Sequence, residues 1–338
     1  MTAFASIADF EAALADLPQP SADASIAATA RQAALTKPAG SLGRLEEIAI
    51  FFAGWQGHER PRLNRARAAI FAGNHGIAVH GISAFPANVT AQMVANFRAG
   101  GAAINALAAV AGLELNVVAL DLDRPTADFT VAPAMSAPEC LDAINAGAAA
   151  VEPDLDLILL GEMGIGNTTA AAALCARSLR GGVTRWIGPG TGVDAHGIAR
   201  KIAVVERALA VHAYAAHSAF ETLRRVGGRE IAAMAGAVLR ARHLGIPVLL
   251  DGFISCAALA PLAADNPAIA AHCLAGHCSA EPGHAALLAA LRLKPLLTLD
   301  MRLGEGSGAA VAAGVIRAAL AAHDGMATFA EAAVSDSL

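Results

Sequence analysis

The sequence predicts an α/β protein, with a mostly parallel sheet flanked by helices and a small helical domain built from the N-terminal segment and possibly the C-terminal one. Three observations lead there. Short, continuously apolar, β-rich runs recur along the chain, each precedes a glycine-bearing turn, and the turns lead into long alanine-rich stretches with polar residues at helical spacing. Strands that are apolar on both faces are buried on both faces, which is the pattern of βαβ units around a parallel sheet.

Taken in chain order, Phe4 to Leu17 and Leu45 to Trp55 repeat apolar residues at i, i+3 and i+4, so residues 1–66 are expected to form a mainly helical small domain. The strand candidates are Ala68 to Ala72, Leu115 to Leu120, Leu155 to Leu160, Thr184 to Ile187, Pro247 to Leu250 and Leu296 to Leu299, which place an α/β domain over 67–308. Residues 309–338 are expected to carry a C-terminal helix, Ala309 to His323, packed on the small domain, with Ser335 to Leu338 frayed. No repeat of about 20–50 residues is evident, which sets solenoids aside.

Composition narrows the function classes. Apolar residues make up 56% of the 338, but much of that excess is alanine interleaved with Arg, Glu and His. The most apolar stretch, Gly245 to Ala263, is broken by Asp251 and Gly252. It falls short of the roughly 18 uninterrupted apolar residues of a membrane span. The N-terminus carries Asp9, Glu11 and Asp16 ahead of any basic residue, the opposite of a targeting peptide, so a cytoplasmic location is expected. Five scattered cysteines read as reduced thiols. A net charge of -5 without a basic stripe argues against nucleic acid and leaves a small molecule as the partner.

In open parallel sheets ligands sit beyond the carboxyl ends of the strands, so the loops after the apolar runs are the place to look. Gly161-Glu162-Met163-Gly164-Ile165-Gly166-Asn167-Thr168-Thr169 reads as a phosphate cradle at a helix N-terminus. It lacks the lysine of a P-loop and the third glycine of a dinucleotide fingerprint. The plainer reading is that Asn167 or Thr168 merely caps the helix; Glu162, a carboxylate at a strand end, favours a functional role. Gly188-Pro189-Gly190-Thr191-Gly192 offers a second wall for the same phosphate, and Lys201 the point charge, unless it is simply a solvated surface lysine. Met301-Arg302-Leu303-Gly304-Glu305-Gly306-Ser307-Gly308 brackets one carboxylate with glycines that let substrate approach. Apolar neighbours such as Leu303 raise its pKa toward that of a useful base. The alternative for Glu305 is a helix N-terminal acid that complements the macrodipole. His272, Cys273, His277, Cys278 and His284 lack the spacing of a zinc site, and Asp121 and Asp123 lack the neighbours of a magnesium site. No metal or cofactor is expected.

Four motifs in order, Lys37-Pro38-Ala39-Gly40-Ser41-Leu42-Gly43-Arg44-Leu45-Glu46, the Gly161 to Thr169 loop, Asp251-Gly252-Phe253 and the Met301 to Gly308 loop, resemble the nicotinate-nucleotide:dimethylbenzimidazole phosphoribosyltransferases of cobalamin biosynthesis. The resemblance runs from about Lys37 to Leu320. It implies a Rossmann-like sheet with a small helical domain, a homodimer, and transfer of ribose 5-phosphate from nicotinate mononucleotide to 5,6-dimethylbenzimidazole or a related base. By position it makes Glu305 the general base and Glu162 the assisting acid. Gly164, Asn167, Thr168, Gly188, Gly190 and Lys201 then hold phosphate and ribose, and Leu303, Gly304 and Gly306 border the reacting centre. Phe85, Gln92 and Met93, in the segment Ser83 to Met93, become candidate contacts to the base. Two rival readings are a nucleotide-dependent oxidoreductase, which the missing glycine fingerprint disfavours, and a base- or nucleoside-binding protein without catalysis, which Glu305 disfavours.

Overall fold

The computed structural model describes residues 3–190 and 192–335. Six strands form one sheet: β1 Ala66–Ala72, β2 Glu114–Ala119, β3 Leu157–Met163, β4 Val248–Leu250, β5 Cys273–His277 and β6 Pro295–Leu297. Their order is β2-β1-β3-β4-β5-β6 and every neighbouring pair is parallel. The chain steps from β1 out to β2 and returns past it to β3, so the direction of winding reverses between β1 and β3. That reversal parts the loops at the carboxyl ends of these strands and opens a crevice there.

β1 and β3 are apolar on both faces because both faces are covered. On one face pack the helices Ala137–Ala149, Asn167–Ser178 and Arg229–Leu244, with Trp186 and Phe220 among them. On the other lie Arg44–Gln56, Val89–Ala99, Ala103–Ala111 and Ser307–Gly325. The alanine excess is spent here: Ala232, Ala233, Ala235, Ala237 and Ala241 of one helix are all fully buried, so small side chains let helices lie close. The helices Ala22–Ala34 and Arg44–Gln56 also meet the chain's far end. Arg31 donates to the carbonyls of His323, Asp324 and Met326, and Leu35 pairs with Thr328. The first helix, Ile7–Ala15, packs instead on the opposite face, where Phe10 meets Phe220.

Five of the six expected strands are present, and one is not. Thr184 to Ile187 forms a 3₁₀ turn, Val183–Arg185, followed by a buried Trp186. The apolar pattern there signals burial, and a short apolar run does not by itself distinguish a strand from a packed turn. The true fifth strand, Cys273–His277, lies inside the stretch whose His and Cys residues drew attention as possible ligands. His272 is fully buried there, bonded to the Val238 carbonyl and edge-on to Trp55. Among the described residues no group of three or more His, Cys, Asp or Glu is arranged to hold a metal. Asp121 pairs with Arg124.

By length and composition alone, Val89–Ala111 is apolar enough to cross a membrane. At Gly100, φ +81°, it breaks into helices of 11 and 9 residues, each short of the roughly 17–25 a span requires. The tail residues 336–338, expected to fray, and Thr191 of the second glycine loop lie outside the described residues.

Candidate active site

Glu305 occupies the turn between β6 and the helix Ser307–Gly325. Gly304, Glu305 and Gly306 have φ of +82°, +63° and +82°, three consecutive left-handed residues. For a glutamate that conformation costs on the order of 1 kcal/mol or more and persists only where the surroundings dictate it. Here they do. Asp251, 2% exposed at the end of β4, accepts the Gly306 N–H through Oδ2 (3.2 Å) and the Ala309 N–H through Oδ1 (2.9 Å). Ser307 folds back on the Gly304 carbonyl, 2.7 Å from its hydroxyl. Gly161 of β3 presses against the turn, so that a methyl group there would come within 2.7 Å of the Glu305 carbonyl oxygen.

Glu305 is 6% exposed. The Ile104 amide at the start of the helix Ala103–Ala111 bonds to its carboxyl, and its Oε2 has no hydrogen-bond partner among the described residues. Burial raises its pKa above the ordinary carboxylate range, with Asp251 adding and the Ile104 amide opposing. A buried carboxyl oxygen left without a partner is open to a hydrogen bond from outside the chain.

Glu162, near the end of β3, stands against the same turn: a Cβ on Gly304 would lie 2.5 Å from its Oε1. Burial pushes its pKa up to about 8, with the charge of Asp251 adding and the Asn167 side-chain amide, which donates to Oε2, opposing. At neutral pH Glu162 is therefore mainly the protonated acid.

The loop after β3 leads directly into the helix Asn167–Ser178, and Lys201 reaches it from the helix Ala195–Val211. Lys201 is not the solvated surface lysine: it is 2% exposed, and its Nζ donates to Thr168 Oγ1 (3.1 Å) and the Gly188 carbonyl (3.0 Å). Burial lowers its pKa and Glu281 opposes that shift. Gly190, φ +55°, lies so near this cluster that a Cβ would sit 2.8 Å from Nζ and 2.9 Å from Thr168 Oγ1. Helix N-terminal amides and a buried ammonium are the groups from which anion sites are built.

A cavity of about 60 Å³ opens beside Glu162 and Gly304, bordered also by Gly252, Phe253, His277, Ser279, Glu281, Arg302 and Leu303. A larger concavity of about 710 Å³ lies among Trp55, His58, Arg62, Asn64 and Asp156, beside the amino ends of β1 and β3. The smaller one is lined by Glu162 and Glu281, whose carboxyl pKa values burial raises, and lies at the carboxyl ends of the strands, where parallel sheets bind ligands.

A family model described as Phosphoribosyltransferase matches residues 17–334. The chain belongs to that phosphoribosyltransferase family. A protein of Novosphingobium aromaticivorans named nicotinate-nucleotide–dimethylbenzimidazole phosphoribosyltransferase is 72% identical over 338 residues, covering 100% of both chains. One of Mesorhizobium japonicum with the same name is 55% identical over 333 residues, 98% of this chain and 99% of the relative. The crystal structure of CobT from Thermus thermophilus superposes with a TM-score of 0.88 at 40% identity, covering 93% of this chain and 100% of that one.

Of the residues singled out in the sequence, this phosphoribosyltransferase brings Glu162, Asn167, Leu303, Gly304, Glu305 and Gly306 together, and Thr168, Gly188, Gly190 and Lys201 beside them. Gly164 packs under Asn167 at the crevice. The base-contact candidates stand further out. Phe85 is 52% exposed, Gln92 is exposed on the helix Val89–Ala99, and Met93 packs into the second core. This segment is tied to the site through Thr90, whose hydroxyl accepts the Ile165 N–H at 3.2 Å.

Sequence reasoning gave no role to Asp251, His277, Ser279 or Glu281, nor to the buried pair His75 and Glu230, whose Nε2 and Oε1 are 2.6 Å apart. Glu230 lies under Gly164 and adds to the upward push on Glu162. The Gly73-Asn74-His75-Gly76 loop after β1 was a visible signal for His75. Glu230 had none, because an acid in a helix's first turn reads as a complement to the dipole.

Proposed function

We propose that the chain transfers ribose 5-phosphate from nicotinate mononucleotide to 5,6-dimethylbenzimidazole or a related base, giving α-ribazole 5'-phosphate and nicotinate, with Glu305 as general base. Full-length relatives that carry this enzyme name support the reaction. The single observation that supports the role of Glu305 is its buried, half-unengaged carboxyl, held in a left-handed turn at the carboxyl edge of the sheet.

In nicotinate mononucleotide the bond to be broken joins C1' to a pyridinium nitrogen. That nitrogen already bears the positive charge, so the ring leaves with the bonding electrons as a neutral pyridine nitrogen and needs no proton. The incoming imidazole ring attacks C1' through one nitrogen from the opposite face, and the configuration changes from β to α. Its other nitrogen gives its proton to Glu305, so the product base is neutral. Lys201, with the N-terminal amides of the helix Asn167–Ser178, anchors the 5'-phosphate. Protonated Glu162 donates a hydrogen bond in the same cavity.

The exposed Arg302 and Leu303 stand at the rim of the cavity. The free state of all five cysteines supports a reducing, cytoplasmic setting. The decisive experiment measures nicotinate release from nicotinate mononucleotide across a panel of azoles and purines, with product identification. Absence of release with every base sinks the proposal.

A further inference from the structure

Glu281 stands at the N-cap of the helix Pro282–Ala290, yet its side chain does not cap that helix. An acid in that position ordinarily accepts the helix's own first amides. Its carboxyl lies instead against the second glycine loop, where a Cβ on Gly188 would collide with Glu281 Oε2. The Gly188 carbonyl in turn accepts from Lys201 Nζ at 3.0 Å, so carboxyl and ammonium meet around one glycine. Lys201 is 2% exposed, and the two groups that accept from it, Thr168 Oγ1 and the Gly188 carbonyl, are neutral. A buried charge needs a counter-charge, and Glu281 is the acid whose charge acts on Lys201. Burial raises the Glu281 pKa above the ordinary carboxylate range, with Lys201, the Gly190 amide and Arg302 opposing. Glu162 and His277 are the other titratable groups that border the cavity beside it.

We propose that Glu281 is a specificity-determining residue: as a carboxylate it is the internal counter-charge of Lys201 and holds a dianion off, and as the neutral acid it leaves Lys201 to the substrate's phosphate, so that binding the phosphate takes up a proton. The inference rests on the proposed reading that Lys201 anchors that phosphate. Two anions beside one ammonium repel each other, so one of them gains a proton when the phosphate enters. Glu281 is that group, because burial already favours its neutral form. A nucleoside without phosphate brings no second anion and leaves the balance between Lys201 and Glu281 intact. Glu281 thereby sets how strongly the mononucleotide is preferred over the riboside, and ties that preference to pH.

Sulfate is the probe, because it stays a dianion across the range in which a carboxyl and a phosphate monoester both titrate. Its dissociation constant is measured between about pH 5 and pH 8, from the rise in melting temperature it gives, for the unaltered chain, Glu281→Gln and Glu281→Ala. In the unaltered chain the constant is expected to rise by about tenfold or more over that range, as the carboxylate forms. Both variants lack that charge, so their rise is expected to stay within about twofold, and at the upper pH both bind sulfate more tightly than the unaltered chain. Should Glu281→Gln fail to fold, Glu281→Ala carries the comparison. In nicotinate release at the upper pH, Glu281→Gln is expected to lower the KM for the mononucleotide and to leave that for nicotinate riboside unchanged. An unaltered chain whose sulfate affinity is flat with pH overturns the inference without any variant. Variants that lose sulfate as steeply as the unaltered chain overturn it too, as does a chain that binds no sulfate at any pH. Sulfate binding needs no catalysis, so an absence of nicotinate release strikes the proposed function itself and is distinguishable from a failure of the proton linkage.

Discussion

Asp251 holds Glu305 from the neighbouring strand without touching its side chain: its two carboxylate oxygens take the amide hydrogens of Gly306 and Ala309, fixing the turn in which Glu305 stands. Asp251→Asn keeps one of the two acceptors and leaves one amide facing a donor. A loss of about 1–3 kcal/mol in stability follows, together with a fall in kcat larger than any rise in KM. Thermal melting and steady-state kinetics on the same preparation check both. An Asn variant with unchanged kcat removes Asp251 from the support of the site.

Glu305→Gln retains the shape and removes the basicity. A fall in kcat of about 10²–10⁴ is expected, with little change in the KM for nicotinate mononucleotide. A variant that keeps most of its activity shows that the proton goes elsewhere.

Glu162 gives a pH dependence of stability whose sign is set. Its pKa rises from 4.5 to about 8 on folding, so the folded state binds the proton more tightly than the unfolded one. Its contribution is fully present below the unfolded value and is lost as the pH rises through the folded value. A shift of about 3.5 units corresponds to roughly 5 kcal/mol. The melting temperature of the unaltered chain should therefore fall by several degrees more between about pH 6 and pH 9 than that of Glu162→Gln. Parallel melting curves for the two proteins across this range contradict the shift.

Lys201→Ala removes a buried ammonium from between Thr168 and Gly188. The KM for nicotinate mononucleotide should rise by about tenfold or more while the KM for the base changes little. Nicotinate riboside, which lacks the phosphate, supplies the control. If its binding weakens as strongly as that of the mononucleotide, the lysine is not a phosphate ligand.

The sheet was legible because a strand buried on both faces has to be written in apolar residues, and β1, β3 and β4 are. Trp186 shows where that logic ends: it is as buried as any strand residue, yet it sits after a 3₁₀ turn. Glu162, Glu305 and Lys201 were legible because glycine loops announced them. Asp251 belonged to a visible motif, but what it does depends on an amide 58 positions further along the chain. Glu281 acquires meaning only from the charge of Lys201, which stands on a helix far earlier in the chain. Long-range partnerships of this kind leave no local spacing to read.

The left-handed turn sets the protein's chemistry against its own durability. Glycine occupies φ +63° without penalty, and glutamate does not. Glu305→Gly also removes a buried acid, so that variant should melt above the unaltered chain, in contrast to Glu305→Gln, which keeps the backbone penalty. Random stabilising selection without an activity screen would therefore be drawn to the residue proposed as the general base.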